Sequence, residues 1–396
     1  MRKLLLIAVC VPLIIAGGWY YFHQRSLPTY GPLYREYAYV TNGKSNTVSV
    51  IDLTTDPFKG FTVVKTLAVG AEPTGVAANP KKNEIYVVNA GSANVSVIDA
   101  EQNKVVATIG VYGRPYFIDV SPDGRRAYVA NSGSNNVSVI DLDHRTVAAT
   151  LRVGGSPGLA RVSPDGSTLV VSNRADNSVS IIDTVRLSVR SAIGICLEPE
   201  DIAILPDSSK AFVSCSGSGQ VASIDLKNDK LLALLDVGKS PVSLALKPDG
   251  GELVAFNFNA GTISIIETTP DEVLGSFLVG AQPTRGVVSL DNSRLYISDF
   301  ASNDVAVYDM DLGKVIAFLP VGTRPDALAL SQNQEYLLVA DSGSSDVTII
   351  QKRTPSKKFE PSEYSLLTIL PVGAQPNQMV VKSFLATKPE AERRLP

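Results

Sequence analysis

The sequence predicts an all-β protein, an eight-bladed β-propeller of four-stranded antiparallel blades, and two repeating motifs lead to this fold class. A phrase similar to YVTN recurs along the chain and is followed by a phrase similar to VSVID, as in YVTNGKSNTVSVID at residues 39–52. A proline in a motif close to VGxxP returns every 42 residues from Pro73 to Pro325, and Pro376 follows after 51. Self-similarity at roughly 40–45 residues is typical of a repeat architecture.

The unit from Pro115 to Pro157 shows what each repeat contains. PYFIDVS is apolar and β-branched, SPDGR supplies an Asp-Gly turn, and AYVAN is a second strand. NVSVIDL and TVAATLRVG follow as a third and a fourth strand, separated by a short turn. Four such strands form a sheet that is too small to stand alone, and radial packing of similar sheets buries its faces.

The two ends of the chain complement each other. Residues 37–70 contain the second, third and fourth strands of a blade, whereas VGAQPNQMVVKSF near the C-terminus contains only a first strand. Pairing these segments completes an eighth blade and removes free strand edges. Seven blades is the alternative if one terminal unit is displaced.

The N-terminus is a separate element. Arg2 and Lys3 precede a largely apolar stretch from Leu4 to Phe22, about the length that crosses a bilayer core. Residues 1–22 are therefore predicted to be a transmembrane anchor or a cleaved signal peptide, with lipidation at Cys10 as a third option. In each case the bulk of the chain is expected outside the cytoplasm, in the periplasm or at the cell surface, with the N-terminus inside.

The remaining boundaries follow from composition. Residues 23–36 are polar and Pro-rich and are predicted to be a spacer, residues 37–384 the propeller, and residues 385–396 a charged tail. The inserts TDPFKGF and KRTPSKKFEPSEY, which lengthen the first and last units, are predicted to be loops.

The chain resembles the YVTN-repeat β-propeller family, because the YVTN, VSVID and VGxxP motifs recur in the same order and spacing from residue 37 to about 384. That family includes archaeal surface-layer proteins and bacterial periplasmic propellers, and it is similar in architecture to the cytochrome d1 propeller domain. The resemblance implies an extracytoplasmic binding platform. It implies nothing more specific, because one fold hosts many functions.

Composition argues against several classes of function. The net charge of −3 gives no reason to expect nucleic-acid binding, which usually needs a basic surface. The sequence contains only two histidines, His23 and His144, too few for a His-rich zinc site, a Ser/His/Asp triad or haem ligation of the d1 type. No catalytic residue, metal site or cofactor is predicted.

Candidate binding residues lie where a blade departs from its own repeat. Chain reversal at each strand places the loop before the repeat proline and the loop after the YVTN phrase at one end of the ring. Cationic, aromatic and acidic side chains replace the usual small residues there, and together they suit an anionic or aromatic ligand. A solvated rim with salt bridges, for example Arg285 with Asp326, is the alternative. The candidates are Arg114, Tyr116, Phe117, Arg174, Glu200, Asp201, Phe258, Arg285, Phe300, Arg324 and Asp326.

The fifth repeat departs twice more. Cys196 occupies a position where most repeats have glycine, and Cys215 replaces the asparagine of the YVTN phrase. The pair is a disulfide candidate in an oxidising compartment, with independent thiols and a metal or cofactor role as alternatives. The hairpin register sets Cys215 opposite Glu200, so a bond requires the entering loop to fold back.

Two functions follow as hypotheses. The first is a membrane-tethered or exported scaffold that binds a protein, an envelope polymer or a membrane-complex subunit. The second is a propeller enzyme or cofactor accessory, such as a lactonase-like hydrolase or a redox-cofactor maturation protein. The sequence favours the first and leaves the oligomeric state open.

Overall fold

The computed structural model describes residues 31–54, 60–352 and 363–387. Within them it contains eight four-stranded sheets, the blades of a propeller, and no helix. Blade 1 combines the first three strands with the last one, and blades 2–8 each contain four consecutive strands. The predicted all-β class, the eight blades and the closure through both chain ends are confirmed.

The innermost strands face the axis of the ring. They are β4 (Pro73–Ala78), β8 (Pro115–Val120), β12 (Pro157–Val162), β16 (Pro199–Ile204), β20 (Pro241–Leu246), β24 (Pro283–Val288), β28 (Pro325–Leu330) and β32 (Pro376–Leu385). The second strands are β1 (Tyr34–Asn42), β5 (Glu84–Asn89), β9 (Arg126–Asn131), β13 (Thr168–Asn173), β17 (Lys210–Cys215), β21 (Glu252–Asn257), β25 (Arg294–Asp299) and β29 (Tyr336–Asp341).

The third and fourth strands complete each blade outward. The third strands are β2 (Thr47–Asp52), β6 (Asn94–Asp99), β10 (Asn136–Asp141), β14 (Ser178–Asp183), β18 (Gln220–Asp225), β22 (Thr262–Glu267), β26 (Asp304–Asp309) and β30 (Asp346–Lys352). The outermost strands are β3 (Thr62–Ala68), β7 (Lys104–Gly110), β11 (Thr146–Arg152), β15 (Ser188–Gly194), β19 (Lys230–Asp236), β23 (Glu272–Leu278), β27 (Lys314–Pro320) and β31 (Tyr364–Pro371).

The core lies between neighbouring blades. Tyr86 and Val88 of blade 2 pack with Ile118, Val129 and Ile140 of blade 3 in one buried cluster. Equivalent clusters join the other neighbouring blades from blade 3 round to blade 1. Each fully buried aliphatic or aromatic side chain contributes roughly 1.5–3 kcal/mol. A blade is therefore stable only when both of its faces are covered.

Closure of the ring depends on β32, which pairs with β1. The Gly43 amide donates to the Gln375 carbonyl at 2.9 Å, and the Ala374 amide donates to the Ser45 hydroxyl at 2.6 Å. On its other side β32 reaches blade 2, where the Asn377 amide donates to the Pro73 carbonyl at 2.9 Å. The last strand thus joins blade 1 to blade 2.

The described residues at the two chain ends, 31–35 and 384–387, belong to a different unit from residues 36–383. Within it the Ala386 amide donates to the Leu33 carbonyl at 2.7 Å, and Arg35 donates to the Pro32 carbonyl at 3.0 Å. β1 begins three residues inside the predicted spacer, and β32 includes the first residue of the predicted tail. Backbone pairing between the two ends accounts for both extensions.

The predicted N-terminal apolar segment, residues 1–30 as a whole, the inserts at 55–59 and 353–362, and the tail from residue 388 lie outside the described residues. The predictions for them stand as predictions. In the part of the chain that the structure describes, no helix has the length and apolarity of a membrane span.

Candidate functional site at the channel mouth

Each innermost strand begins at the same end of the ring, which we call the mouth end. In blade 3, Pro115 pairs with Asn131, and Asn131 pairs with Asn136. The Ser132 amide donates to the Arg114 carbonyl at 3.0 Å, which ties the loop after the YVTN phrase to the loop before the proline. The sequence-based placement of these two loops at one end therefore agrees with the strand registers.

A cavity of about 300 Å³ lies at this end on the axis, because the innermost strand of every blade contributes to it. We call it the mouth cavity. Eight of the eleven candidate residues line it: Tyr116, Phe117, Arg174, Glu200, Asp201, Phe258, Arg285 and Asp326. The remaining lining residues, which sequence reasoning missed, are Thr74, Leu159, Val242, Ser243, Thr284 and Gln378.

The missed residues occupy the first and second positions after the repeat proline, as Glu200 and Asp201 do. Their repeat position was the signal that could have identified them. Residue type alone does not identify them, because small polar and aliphatic residues do not stand out from the repeat consensus.

Arg114, Phe300 and Arg324 do not line the cavity. Arg114 and Arg324 directly precede the repeat proline, are exposed, and have left-handed backbones with φ of 49° and 55°. The Phe300 ring lies 6.4 Å from the Phe258 ring, and the Arg324 guanidinium lies 5.8 Å from the Phe300 centroid. Phe258, Phe300 and Arg324 form a surface that we call the rim, leading outward from the mouth cavity.

Arg174 connects blades 3 and 5 across blade 4. Its guanidinium forms a salt bridge with Glu200 and lies 4.6 Å from the Tyr116 ring centroid. It passes over Gly158, where an added Cβ would lie 2.8 Å from Nε. Burial raises the pKa of Glu200, and the Arg174 charge opposes that rise. Glycine at 158 therefore makes room for a cation that neutralises a partly buried carboxylate.

Asp201 is engaged with the neighbouring blade. Its carboxylate accepts hydrogen bonds from the Ser243 hydroxyl at 2.8 Å and the Leu244 amide at 3.1 Å. Asp119, deeper along the channel, accepts from the Val162 amide of its neighbouring blade in the same way, at 3.0 Å. Asp201 thus joins blades 5 and 6. Glu200 and Asp201 make different contacts, as predicted from the opposite faces to which adjacent strand residues point.

Arg285 forms no ion pair with Asp326 among the described residues, so that predicted example of a salt bridge is wrong. The Gln378 amide, oriented with its oxygen toward Arg285, accepts from Nη2 at 2.6 Å and from Nη1 at 3.0 Å. Burial raises the pKa of Asp326, and the Arg285 charge counteracts this effect. Arg285 thus reaches from blade 7 to Gln378 of blade 1, while Asp326 lies on blade 8 between them.

Cys196 and Cys215 form a disulfide, with their Cα atoms 5.7 Å apart. Cys215 pairs with Pro199 and not with Glu200, because the register shifts between Pro199 and Ile202. The predicted register is therefore corrected, and the shift brings Cys196 within reach. In blade 6, Gly238 and Asn257 stand at the equivalent positions and pack closely. The disulfide thus replaces a glycine–asparagine contact of the repeat.

Reduction of this disulfide is expected to lower the free energy of unfolding by about 3 kcal/mol, since it closes a loop of roughly 20 residues. Thermal unfolding with and without reductant measures the effect. The Cys196→Gly/Cys215→Asn variant restores the repeat pair, and we expect its melting temperature to exceed that of the Cys196→Ser/Cys215→Ser variant. A wild-type melting temperature that is unchanged once two thiols have become titratable would contradict the prediction.

Among residues 31–54, 60–352 and 363–387, no group of three or more His, Cys, Asp or Glu side chains is arranged to hold a metal ion.

Comparisons with known proteins agree with this architecture. Residues 22–162 match the model of the YNCE-like beta-propeller family. No curated protein sequence matches the chain significantly.

Three of the solved structures that match the chain illustrate the shared fold. Dihydro-heme d1 dehydrogenase NirN in complex with DHE has a TM-score of 0.71 at 14% identity, covering 88% of this chain and 75% of its own. Kuenenia stuttgartiensis hydrazine synthase has a TM-score of 0.59 at 22% identity, covering 70% and 95%. A functionally unknown protein from Desulfotomaculum acetoxidans has a TM-score of 0.58 at 16% identity, covering 76% and 99%.

Proposed function

We propose that this eight-bladed β-propeller, of which residues 22–162 match the YNCE-like beta-propeller family, is a binding module that presents its mouth end to a protein partner outside the cytoplasm. The observation that carries the proposal is the gathering of non-repeat cationic and aromatic side chains at one end of the ring. Aromatic residues and arginine are the residue types enriched at protein interfaces. The rim holds two phenylalanines and one arginine on consecutive blades.

The direction of β1 supports a particular orientation. Asn42 lies at the mouth end beside Gln375, so Tyr37, five residues earlier in the same strand, lies toward the opposite end. If residues 4–22 anchor the chain, the chain enters the propeller at the end opposite the mouth, where Tyr37 lies, and the mouth end stays accessible to a partner. The disulfide suits the same oxidising compartment.

An enzyme or cofactor accessory is the second candidate, because two of the similar structures carry the names of enzymes. The contacts of two of the three carboxylates that line the mouth cavity weigh against it. Glu200 is neutralised by Arg174, and Asp201 binds a hydroxyl and a backbone amide of the next blade. Neither carboxylate is placed to act as a free acid or base.

Affinity purification of the full chain from its native membranes, after crosslinking, tests the binding role. We expect a specific companion protein with the wild type and its loss with the rim variant Phe258→Ala/Phe300→Ala/Arg324→Ala. The matched control, Val185→Ala/Arg186→Ala/Leu290→Ala, removes exposed side chains in turns at the opposite end. It should retain the companion.

Two outcomes would contradict the proposal. One is recovery of the wild type as a lone monomer, and the other is a companion that the rim variant retains as well as the control does. Circular dichroism and melting temperatures establish that both variants are folded.

A further inference from the structure

We propose that the mouth cavity binds an α-amino-acid group, in which an ammonium and a carboxylate are attached to one carbon. The inference rests on the proposed binding role of the mouth end and specifies its ligand chemistry. Arg285 is assigned to the carboxylate, Asp326 to the ammonium, and the apolar wall to the side chain.

The first step concerns the acceptor that Arg285 now holds. Both terminal nitrogens of its guanidinium donate to one neutral oxygen, that of Gln378, at 2.6 and 3.0 Å. Arg174, the other arginine lining the cavity, is already bridged to Glu200. A planar guanidinium binds a carboxylate through two parallel hydrogen bonds more strongly than it binds a neutral amide. A ligand carboxylate can therefore displace the Gln378 oxygen.

The second step concerns Asp326, which lines the same cavity on the blade between Arg285 and Gln378. Its carboxylate is partly buried and accepts no hydrogen bond from any described residue. Burial raises its pKa, and the nearby Arg285 charge opposes this rise. A partly buried carboxylate without a protein donor gains from a charged partner, and a ligand ammonium supplies both donors and charge.

The third step concerns the opposite side of the ring. Blade 3 faces blade 7 across the axis of an eight-bladed ring, and it contributes Phe117 to the cavity. Leu159 of blade 4 extends this apolar lining, and Val242 and Phe258 of blade 6 add apolar surface beside the Arg285 blade. A cavity of about 300 Å³ lies at the small end of the range for ligand sites. It therefore suits one amino-acid group with an apolar side chain.

Calorimetric titration and thermal shift of the intact protein with leucine and phenylalanine test the site directly. We expect binding of both, and loss of at least about tenfold in affinity for N-acetylphenylalanine and for phenylalaninamide, which lack the ammonium and the carboxylate respectively. Nε-acetyl-lysine has a free α-amino-acid group on an acylated side chain. If Nε-acetyl-lysine binds, the ligand is the free α-amino-acid end group of a larger chain. If only the free amino acids bind, the ligand is a small metabolite.

Two variants separate the proposal from a loss of folding. Arg285→Ala should reduce affinity at least about tenfold. Gln378→Glu keeps the shape of the side chain and places a carboxylate on Arg285, so we expect it to abolish ligand binding while raising the melting temperature. Arg186→Ala, at the opposite end, is the control and should bind as the wild type does.

The proposal is overturned if none of these ligands binds at millimolar concentration, or if the acetyl and amide derivatives bind as well as the parent amino acids. Undiminished binding by Gln378→Glu would also overturn it. These outcomes do not depend on companion capture, so the amino-acid site and the protein-binding role fail separately.

Discussion

A chain that ends at Gln375 is expected to lose the stable ring, because the missing residues include the innermost strand of blade 1. Met379 and the partly buried Val381 of β32 pack in the cluster between blades 8 and 1, and each contributes on the order of 1.5–3 kcal/mol. Removing β32 also leaves β1 as an unpaired edge, which favours association with other chains. We expect aggregation, or a melting transition lowered by more than about 10 °C.

The matched control is a chain that ends at Thr387, which removes only residues 388–396 and leaves every described strand in place. Soluble yield, size-exclusion profile and thermal unfolding of the two truncations compare them directly. A monomeric chain ending at Gln375 that melts with the wild type would contradict the closure of blade 1 by β32.

The Asp299→Asn variant is expected to stabilise the protein at alkaline pH by on the order of 2 kcal/mol. Asp299 occupies the position of the repeat asparagine in blade 7, is fully buried, and has no hydrogen-bond donor for either carboxylate oxygen among the described residues. In blade 2 the equivalent Asn89 donates to the Asn94 side chain at 2.7 Å. Asparagine at 299 would donate to Asp304 in the same way.

The sign of the pH dependence follows from the raised pKa. Burial and the neighbouring Asp304 raise the pKa of Asp299 to about 8. Burial and the neighbouring Asp346 raise the pKa of Asp341 in blade 8 to about 7, although the hydrogen bond from Thr348 lowers it. An unfolded aspartate has a pKa of about 3.9, so the folded chain binds these protons more tightly. The contribution of these two carboxyl groups to stability is therefore fully present below the unfolded pKa and is lost as the pH rises through the folded-state values.

Denaturation midpoints of the wild type and Asp299→Asn between about pH 5 and pH 9 measure this effect. The two curves should lie close together at acidic pH and separate as the pH rises. Asp225→Asn is the control, because hydrogen bonds from Asn228 lower the pKa of Asp225, and it should give no alkaline gain. Parallel wild-type and Asp299→Asn curves across the whole range would contradict the prediction.

Much of the fold could be predicted from the sequence, because each sequence repeat corresponds to one structural unit. Chain reversal at each strand was enough to place the loops before the repeat prolines and after the YVTN phrases at one end. The shift of the strand register by one residue after the repeat proline could not be predicted from the sequence. It lies, for example, between Pro199 and Ile202, and alternation of side chains does not predict it.

The partners of the charged side chains at the mouth end also show what could not be predicted from the sequence. An Arg285–Asp326 pair was the natural expectation from neighbouring blades, yet Arg285 reaches Gln378 and Arg174 reaches Glu200. The Arg174 contact depends on a small residue, Gly158, which leaves room for the long side chain. Sequence spacing alone does not reveal such a contact.

The sequence by itself determined the blade, the number of blades, the closure through the chain ends and the end of the ring where unusual residues gather. These features depend on local strand pattern and on repetition, which a single chain displays directly. Only the tertiary structure decided which side chains meet, because contacts around the axis join residues that are tens to hundreds of positions apart. The partners around the axis depend on lateral packing between blades, which created the mouth cavity, whereas the register shift within blade 5 brought Cys196 to Cys215.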